Sequence, residues 1–367
     1  MKKRLLFPCL VTLLVSACSQ YNADIEYIRW ADYQEKDLAT VFEANCDDIK
    51  YISIIEGEQE FMFASPDRIK IKNQNIYIND WQNRKLLTFS INGEPISVLN
   101  RRGRSDSEYL QISDFDIDDN EDIWVLDGQA DCIKHYNKDG EFIKTYSIPF
   151  QASAIKCLPN GRLMFTIAQW DKSNYKSNQL ILTDSNLNVL EVFAKRRAKR
   201  DPNFEIVPSY GLHLYDNNVF YHQPISDDVH CIDANNLSEQ VYKFDFGIHT
   251  VPKEARIYTE AHIDDFSSYI TLAVASYIDD NIIVGGLFDK MRLKSFFINR
   301  DAKIRYLQND SMSSMIMVGI SSGYVIYILM PDASEDLTFI PDDIKSSINS
   351  GQWVMALLPL DRFIDIN

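Results

Sequence analysis

The sequence predicts an all-β protein of six four-stranded antiparallel blades closed into a ring, the architecture of a six-bladed β-propeller. Three observations predict it. A strand-turn-strand phrase from Ile69 to Leu99 (IKIKNQNIYINDWQNRKLLTFSINGEPISVL) returns from Ser113 to Tyr146 (SDFDIDDNEDIWVLDGQADCIKHYNKDGEFIKTY), and more loosely further on. Each copy is a sheet with an apolar face that it cannot bury alone, so the copies must stack. The apolar fraction of 46% is enough for a full core, and 19 Tyr with 20 Phe suit packed sheets. Finally, the strands left over at the two ends of the repeat add up to one more unit.

Let a to d denote the strands of a unit from the inside outward. The first unit is expected at Ile69–Lys72, Ile76–Ile78, Leu86–Ser90 and Ile96–Leu99, with tight turns at Asn73-Gln74-Asn75 and Asn92-Gly93-Glu94. Pro95 opens the outermost strand, where a missing N–H costs least. The second is Phe115–Ile117, Ile123–Leu126, Cys132–Tyr136 and Phe142–Tyr146. The third is Ala154–Cys157, Leu163–Ile167, Gln179–Thr183 and Val189–Phe193. The fourth is Gly211–Leu214, Val219–Tyr221, His230–Ile232 and Gln240–Phe244. The fifth is Leu272–Tyr277, Ile282–Gly285, Leu293–Ile298 and Ile304–Leu307.

The sixth unit starts with Met315–Ile320 and Tyr324–Leu329, then breaks for a polar insertion from Pro331 to Gly351, helical at Asp342–Ile348. Trp353–Leu358 is its third strand, and no fourth follows. The early segment Ile49–Ile55 (IKYISII) has no partner of its own. Pairing the two leftovers closes the ring and leaves only short sheet edges exposed.

The first residues bear on the compartment. Lys2, Lys3 and Arg4 precede an apolar run from Leu5 to Val15, too short to span a bilayer comfortably. Val15-Ser16-Ala17-Cys18 then resembles a bacterial lipobox, in which small residues precede a cysteine lipidated on its thiol. That resemblance implies a signal peptide over 1–17 and lipidation at Cys18; with the strand count, a tether is expected over 18–48 and the propeller over 49–367. Acyl chains anchor through about 0.8 kcal/mol per buried methylene. The expected location is the bacterial cell envelope, with the protein held on the outer membrane; the side it faces stays open. The expected partners are the membrane, through the anchor, and an envelope protein, peptide or glycan. The net charge of −16 argues against nucleic acid, whose phosphates need a basic surface.

The chain also resembles the six-bladed propeller lipoproteins of Bacteroidetes, related at fold level to NHL and TolB-like propellers. The residues that carry this are Gly103-Arg104-Ser105-Asp106-Ser107-Glu108-Tyr109, followed by an acidic-hydrophobic strand (ISDFDID) from Ile112 to Asp118. Gly103, Glu108 and Tyr109 match the family phrase; Ser105 and Asp106 stand where it has glycine and proline. The resemblance implies a fold and no particular reaction.

In such a ring the b–c turns and the blade-to-blade connections emerge on one face. That face is the expected ligand surface, and it collects Trp81, Asp127, Trp170, His222 and Asp289. Aromatic rings beside amides and carboxylates suit a sugar or peptide; the same tryptophans could equally pack between blades. Arg101, Arg102 and Arg104 form one basic cluster on the connections, and Lys195, Arg196, Arg197, Lys199 and Arg200 form another, either flanking an acidic ligand or simply solvated.

Asp114-x-Asp116-x-Asp118 lacks the glycine and distal glutamate of a calcium loop, so a surface turn is expected there. The histidines lack zinc-site spacing, and neither a metal nor another cofactor is expected. Cys46, Cys132, Cys157 and Cys231 form no CxxC pair, and their disulfide state is open. The leading reading is a binding or scaffold module. The alternative is a metal-dependent lactonase- or lyase-like enzyme using Asp80, Asp127 and Asp289 in the channel.

Overall fold

The computed structural model describes residues 24–363, apart from 56, 65, 197–211, 224, 258, 332 and 334–336. It opens with β1 (Asp24–Arg29), β2 (Gln34–Asp37), the short helix α1 (Ala39–Ala44) and β3 (Lys50–Ser53). Six blades follow. Blade one is β4 (Pro66–Lys72), β5 (Asn75–Asp80), β6 (Lys85–Ser90) and β7 (Pro95–Leu99). Blade two is β8 (Asp114–Ile117), β9 (Ile123–Asp127), β10 (Cys132–Tyr136) and β11 (Phe142–Ser147).

Blade three is β12 (Ala152–Cys157), β13 (Leu163–Ile167), β14 (Leu180–Thr183) and β15 (Val189–Phe193). Blade four is β16 (Leu212–Tyr215), β17 (Asn218–His222), β18 (Asp228–Asp233) and β19 (Glu239–Asp245). A connection containing helix α2 (Lys253–Ile257) leads to blade five: β20 (Ile270–Ile278), β21 (Ile282–Asp289), β22 (Arg292–Asn299) and β23 (Ile304–Leu307). Blade six is β24 (Met315–Ser321), β25 (Tyr324–Leu329) and, after helix α3 (Asp342–Asn349), β26 (Val354–Pro359).

The ring closes as the strand bookkeeping requires. β3 pairs antiparallel with β26, Ser53 opposite Val354 and Ile52 opposite Met355, and completes blade six. The first c–d turn docks on this closing strand. The Ile55 amide donates to the Gly93 carbonyl at 2.9 Å. A Cβ at Gly93 would lie 2.1 Å from the Ser53 carbonyl oxygen, so close backbone approach requires glycine there.

Six buried apolar clusters hold the ring, one between each pair of neighbouring blades. Phe115 and Val125 of blade two meet Tyr77 and Leu86 of blade one, for example. Alternation explains this: each strand turns alternate side chains to the two sides of its blade, and both sides are covered by another blade.

The stretch expected to be a tether belongs to the propeller from Asp24 onward. β1 runs parallel to β19 and β2 parallel to β23, giving blades four and five a fifth strand each. Trp30, between them, packs edge-on against Phe246 and Phe296 at 5.4 and 5.5 Å. In α1, Val41 and Phe42 are fully buried, with Phe42 against Tyr327 and Phe339. Cys18 and the signal segment lie outside the described residues, as do Gly211 of the fourth unit and Arg197, Lys199 and Arg200 of the second basic cluster. Cys132, Cys157 and Cys231 are buried and Cys46 exposed; all four are free thiols. No helix among the described residues is long and apolar enough to cross a membrane.

Candidate functional site

Strand a of each blade runs toward the a–b turns, so a–b and c–d turns share the lower face. The b–c turns and connections share the upper face. On that upper face three turns are built alike. Asp80, at the end of β5, accepts the Ala64 amide at 3.2 Å and the Asn83 side-chain amide at 2.6 Å. Asp127, at the end of β9, accepts the Leu110 amide at 2.7 Å on Oδ2 and the Gln129 and Ala130 amides at 3.2 Å on Oδ1. Asp171 accepts the Gln151 amide at 2.8 Å on Oδ1, and the Ser173 hydroxyl at 2.6 Å on Oδ2. All three carboxylates are buried. Each latches its own turn to the connection arriving from the preceding blade. Asp80 and Asp127, taken from the sequence as ligand or metal residues, therefore hold the backbone.

Blade four departs from this pattern. Asp227, in its b–c turn, is held on Oδ2 by Arg256 of α2, and Oδ1 is a buried atom with no hydrogen-bond partner. Burial pushes the Asp227 carboxyl up to about 6 although Arg256 pulls the other way. Arg256 is fixed in turn by the carbonyls of Val251 (2.9 Å) and Ile225 (2.8 Å). Ile225, Val251, Ala255 and Phe266 form a small apolar cluster of their own beneath this connection. The result is a cleft of about 550 Å³ at the upper rim of blades three and four, walled by the blade-four connection. Gln179, Lys195, Gln223, Asp228, Lys243 and Lys253 are among its other polar groups. Lys195 was placed on this face from the sequence. Asp227, Lys253 and Arg256 were missed. An aspartate in the b–c turn, as at Asp80 and Asp127, was the available signal, but the irregular turn hid it.

The channel holds a second polar cluster, which the sequence reading treated as a surface turn. On β8, Asp114 accepts the Ile155 amide at 2.8 Å and Asp116 the Cys157 amide at 2.7 Å, so carboxylates of blade two satisfy edge N–H groups of blade three. Lys70 lies 3.3 Å from Asp114 and 3.4 Å from Asp116, and Lys156 lies 3.1 Å from Asp116. Burial works against the Lys70 ammonium, yet the two carboxylates outweigh it and raise its pKa. Burial likewise opposes the Asp116 carboxylate, and Lys156 and Lys70 overcome it and lower its pKa. Lys70, Asp116 and Lys156 line a lower-mouth cavity of about 570 Å³ with Lys72, Asp216, Asn217 and Ser322. The enzyme alternative asks for inward carboxylates on several blades. Asp114 and Asp116 both belong to blade two, and both are bound by lysines and backbone.

The remaining sequence candidates do not converge. Trp81 is 56% exposed on its turn, whereas Trp170 is half-buried. His222 is fully buried at the end of β17, its Nδ1 3.3 Å from the Gln223 carbonyl oxygen. Asp289 pairs with Lys294 at 3.0 Å. Arg101 donates to the Gly140 carbonyl at 3.1 Å, on the c–d turn of blade two. Arg102 makes a backbone bridge to Tyr109, and Arg104 is exposed.

The loop carrying these arginines is docked on blade two: the Asp106 carbonyl accepts from Lys134 at 3.0 Å and from Thr145 at 2.8 Å, and the Ser107 carbonyl from Tyr136 at 3.0 Å. Its family-like residues are structural. Tyr109 is fully buried and its hydroxyl donates to the Leu99 carbonyl at 2.9 Å. Glu108 accepts the Ser105 amide at 2.8 Å, and a Cβ at Gly103 would overlap its carboxylate at 1.9 Å.

Among the described residues one further group, Asp118, Asp122 and His135, clusters closely enough to suggest a metal. Its atoms are already engaged with one another and with neighbours: Asp118 accepts Trp124 Nε1 at 3.0 Å and the Asp122 amide at 3.0 Å, and Asp122 meets His135 Nε2 at 2.9 Å.

These features define a six-bladed β-propeller with four-stranded antiparallel blades and a cleft on its upper face. The chain belongs to the family described as a domain of unknown function, DUF4934, whose model matches residues 31–359. Among solved structures it is similar to an exported protein of Bacteroides fragilis, with a TM-score of 0.71 at 14% identity over 91% of this chain and 99% of that one. A member of the DUF4221 family from Bacteroides vulgatus gives 0.51 at 10% identity, over 84% and 95% of the two chains. Virginiamycin B lyase from Staphylococcus aureus gives 0.43 at 11% identity, over 84% and 98%, and nothing of its reaction passes to this chain. No curated protein matches.

Proposed function

We propose that the protein is a lipid-anchored binding propeller of the bacterial envelope, held by Cys18 on the outer membrane and receiving its ligand in the upper-face cleft. The single observation that carries the binding part is the cleft itself: about 550 Å³, ringed by charged and amide side chains, and walled by a carboxylate with one oxygen left without a partner. That volume falls in the range of small-molecule sites, and an unpaired buried oxygen costs about 1–3 kcal/mol unless a donor reaches it.

The anchor supports the same arrangement. Five residues separate Cys18 from Asp24, a reach of about 20 Å when extended. β1 starts beside Gln240, next to the c–d turn of blade four on the lower side. A tether of that length keeps the lower rim of blade four near the membrane and turns the upper face away from it.

Two measurements test this reading. Metabolic labelling with an alkyne fatty acid should tag the wild type, and Cys18→Ala should abolish the label and release the protein from membranes. A thermal-shift screen of glycans and peptides should find a stabilising ligand whose effect disappears in Ser226→Trp, which fills the cleft. A ligand indifferent to that substitution would move the site elsewhere.

A further inference from the structure

We propose that the cleft takes the carboxylate-bearing sugar of an acidic glycan, a hexuronate; this rests on the cleft being the binding site. The first argument is charge. Of the four cations lining the cleft, Arg256 is held by Asp227, and Lys243 stands 3.6 Å from Asp228. Lys195 and Lys253 have no acidic partner among the described residues, and both side chains are exposed. Two ammonium groups on one cleft without an acidic partner among the described residues, in a chain of net charge −16, mark a place where an anion gathers.

The second argument is the acceptor beside them. Asp227 Oδ1 has no donor, and Gln179 has its oxygen occupied by the Tyr221 hydroxyl at 2.8 Å, which leaves its amide nitrogen to donate. A simple anion would satisfy the lysines but be repelled by Asp227. A neutral sugar would satisfy Asp227 and leave both lysines idle. A uronate carries both groups: its carboxylate meets the ammonium pair, while a ring hydroxyl donates a charge-assisted hydrogen bond to Asp227 and another accepts from Gln179. A peptide C-terminus carries a carboxylate too, but with one amide N–H in place of several hydroxyls.

The full chain is titrated calorimetrically at neutral pH with trigalacturonate, with neutral galactotriose and with acetyl-trialanine as a free carboxylate peptide. Trigalacturonate should bind, more weakly as salt rises, and should lose at least tenfold in affinity in Lys195→Ala/Lys253→Ala. Asp227→Asn should weaken it about tenfold as well; the lysine pair keeps the test decisive if that variant folds poorly. Equal or tighter binding of galactotriose, unaffected by the lysine variant, would overturn the uronate assignment and leave the cleft as a sugar site. Tighter binding of the peptide would overturn it in favour of a peptide carboxylate. Binding of none of the three would sink the uronate assignment, and only an empty screen with Ser226-dependent ligands absent would sink the cleft reading with it.

Discussion

Acid should unfold this propeller partly through one histidine. His213 lies on β16, the inner strand of blade four, with its ring stacked on Phe220 at 5.1 Å and neither ring nitrogen hydrogen-bonded. Burial, then Lys156 and His222, lowers its pKa to about 3. The folded value lies below the unfolded one, about 6.5. As pH falls, the unfolded chain therefore takes the proton first, and stability that is complete above about 6.5 drains away toward 3. Between pH 6.5 and 4 that is two and a half units at about 1.36 kcal/mol each, or about 3 kcal/mol.

His213→Phe keeps the ring stack and removes the titration. Urea unfolding of both proteins at pH 7, 5.5 and 4 gives the answer as a difference, which should grow by about 3 kcal/mol in favour of the variant at constant m. Taking the difference also removes Asp227, which works in the opposite sense. Its folded pKa, about 6, lies above the unfolded one, so its contribution is present at low pH and lost as pH rises through 6. A difference that stays flat within about 0.5 kcal/mol would refute the assignment of a neutral, buried His213.

Three further outcomes are expected. Ile52→Ala, on the closing strand and 2% exposed, should cost about 2–5 kcal/mol by chemical denaturation, as a core truncation does; a loss under about 1 kcal/mol would mean that ring closure contributes little. Asp127→Ala should lower stability by about 3 kcal/mol, because it strips the buried partner from the Leu110 and Gln129 amides, and an undisturbed unfolding midpoint would contradict the latch. Gly103→Ala should lower the melting temperature in the wild type but hardly at all in a Glu108→Ala background, since the clash is with that carboxylate; equal effects in both backgrounds would disprove the coupling.

The blade strands were legible to within a few residues, β10, β13, β15, β23 and β25 without change, because alternation and turn chemistry are local. β1 and β2 were not legible. Gln34–Asp37 is entirely polar and joins blade five through backbone bonds to β23 and an Arg305–Glu35 pair at 3.0 Å, neither of which leaves an alternating pattern. The aromatic stretch around Trp30 was the available hint.

The sequence by itself determined the repeat, its turns and the closing partnership of β3 with β26, since each depends on which residues alternate and where glycine and asparagine allow a turn. Only the tertiary structure decided what the polar side chains do. Asp80, Asp127 and Asp227 occupy comparable turns, yet the first two are filled by amides of a neighbouring connection. The third meets a guanidinium and is left one donor short. That difference arises between segments distant in the chain, where partnership is set by the packing of blades rather than by spacing along the sequence.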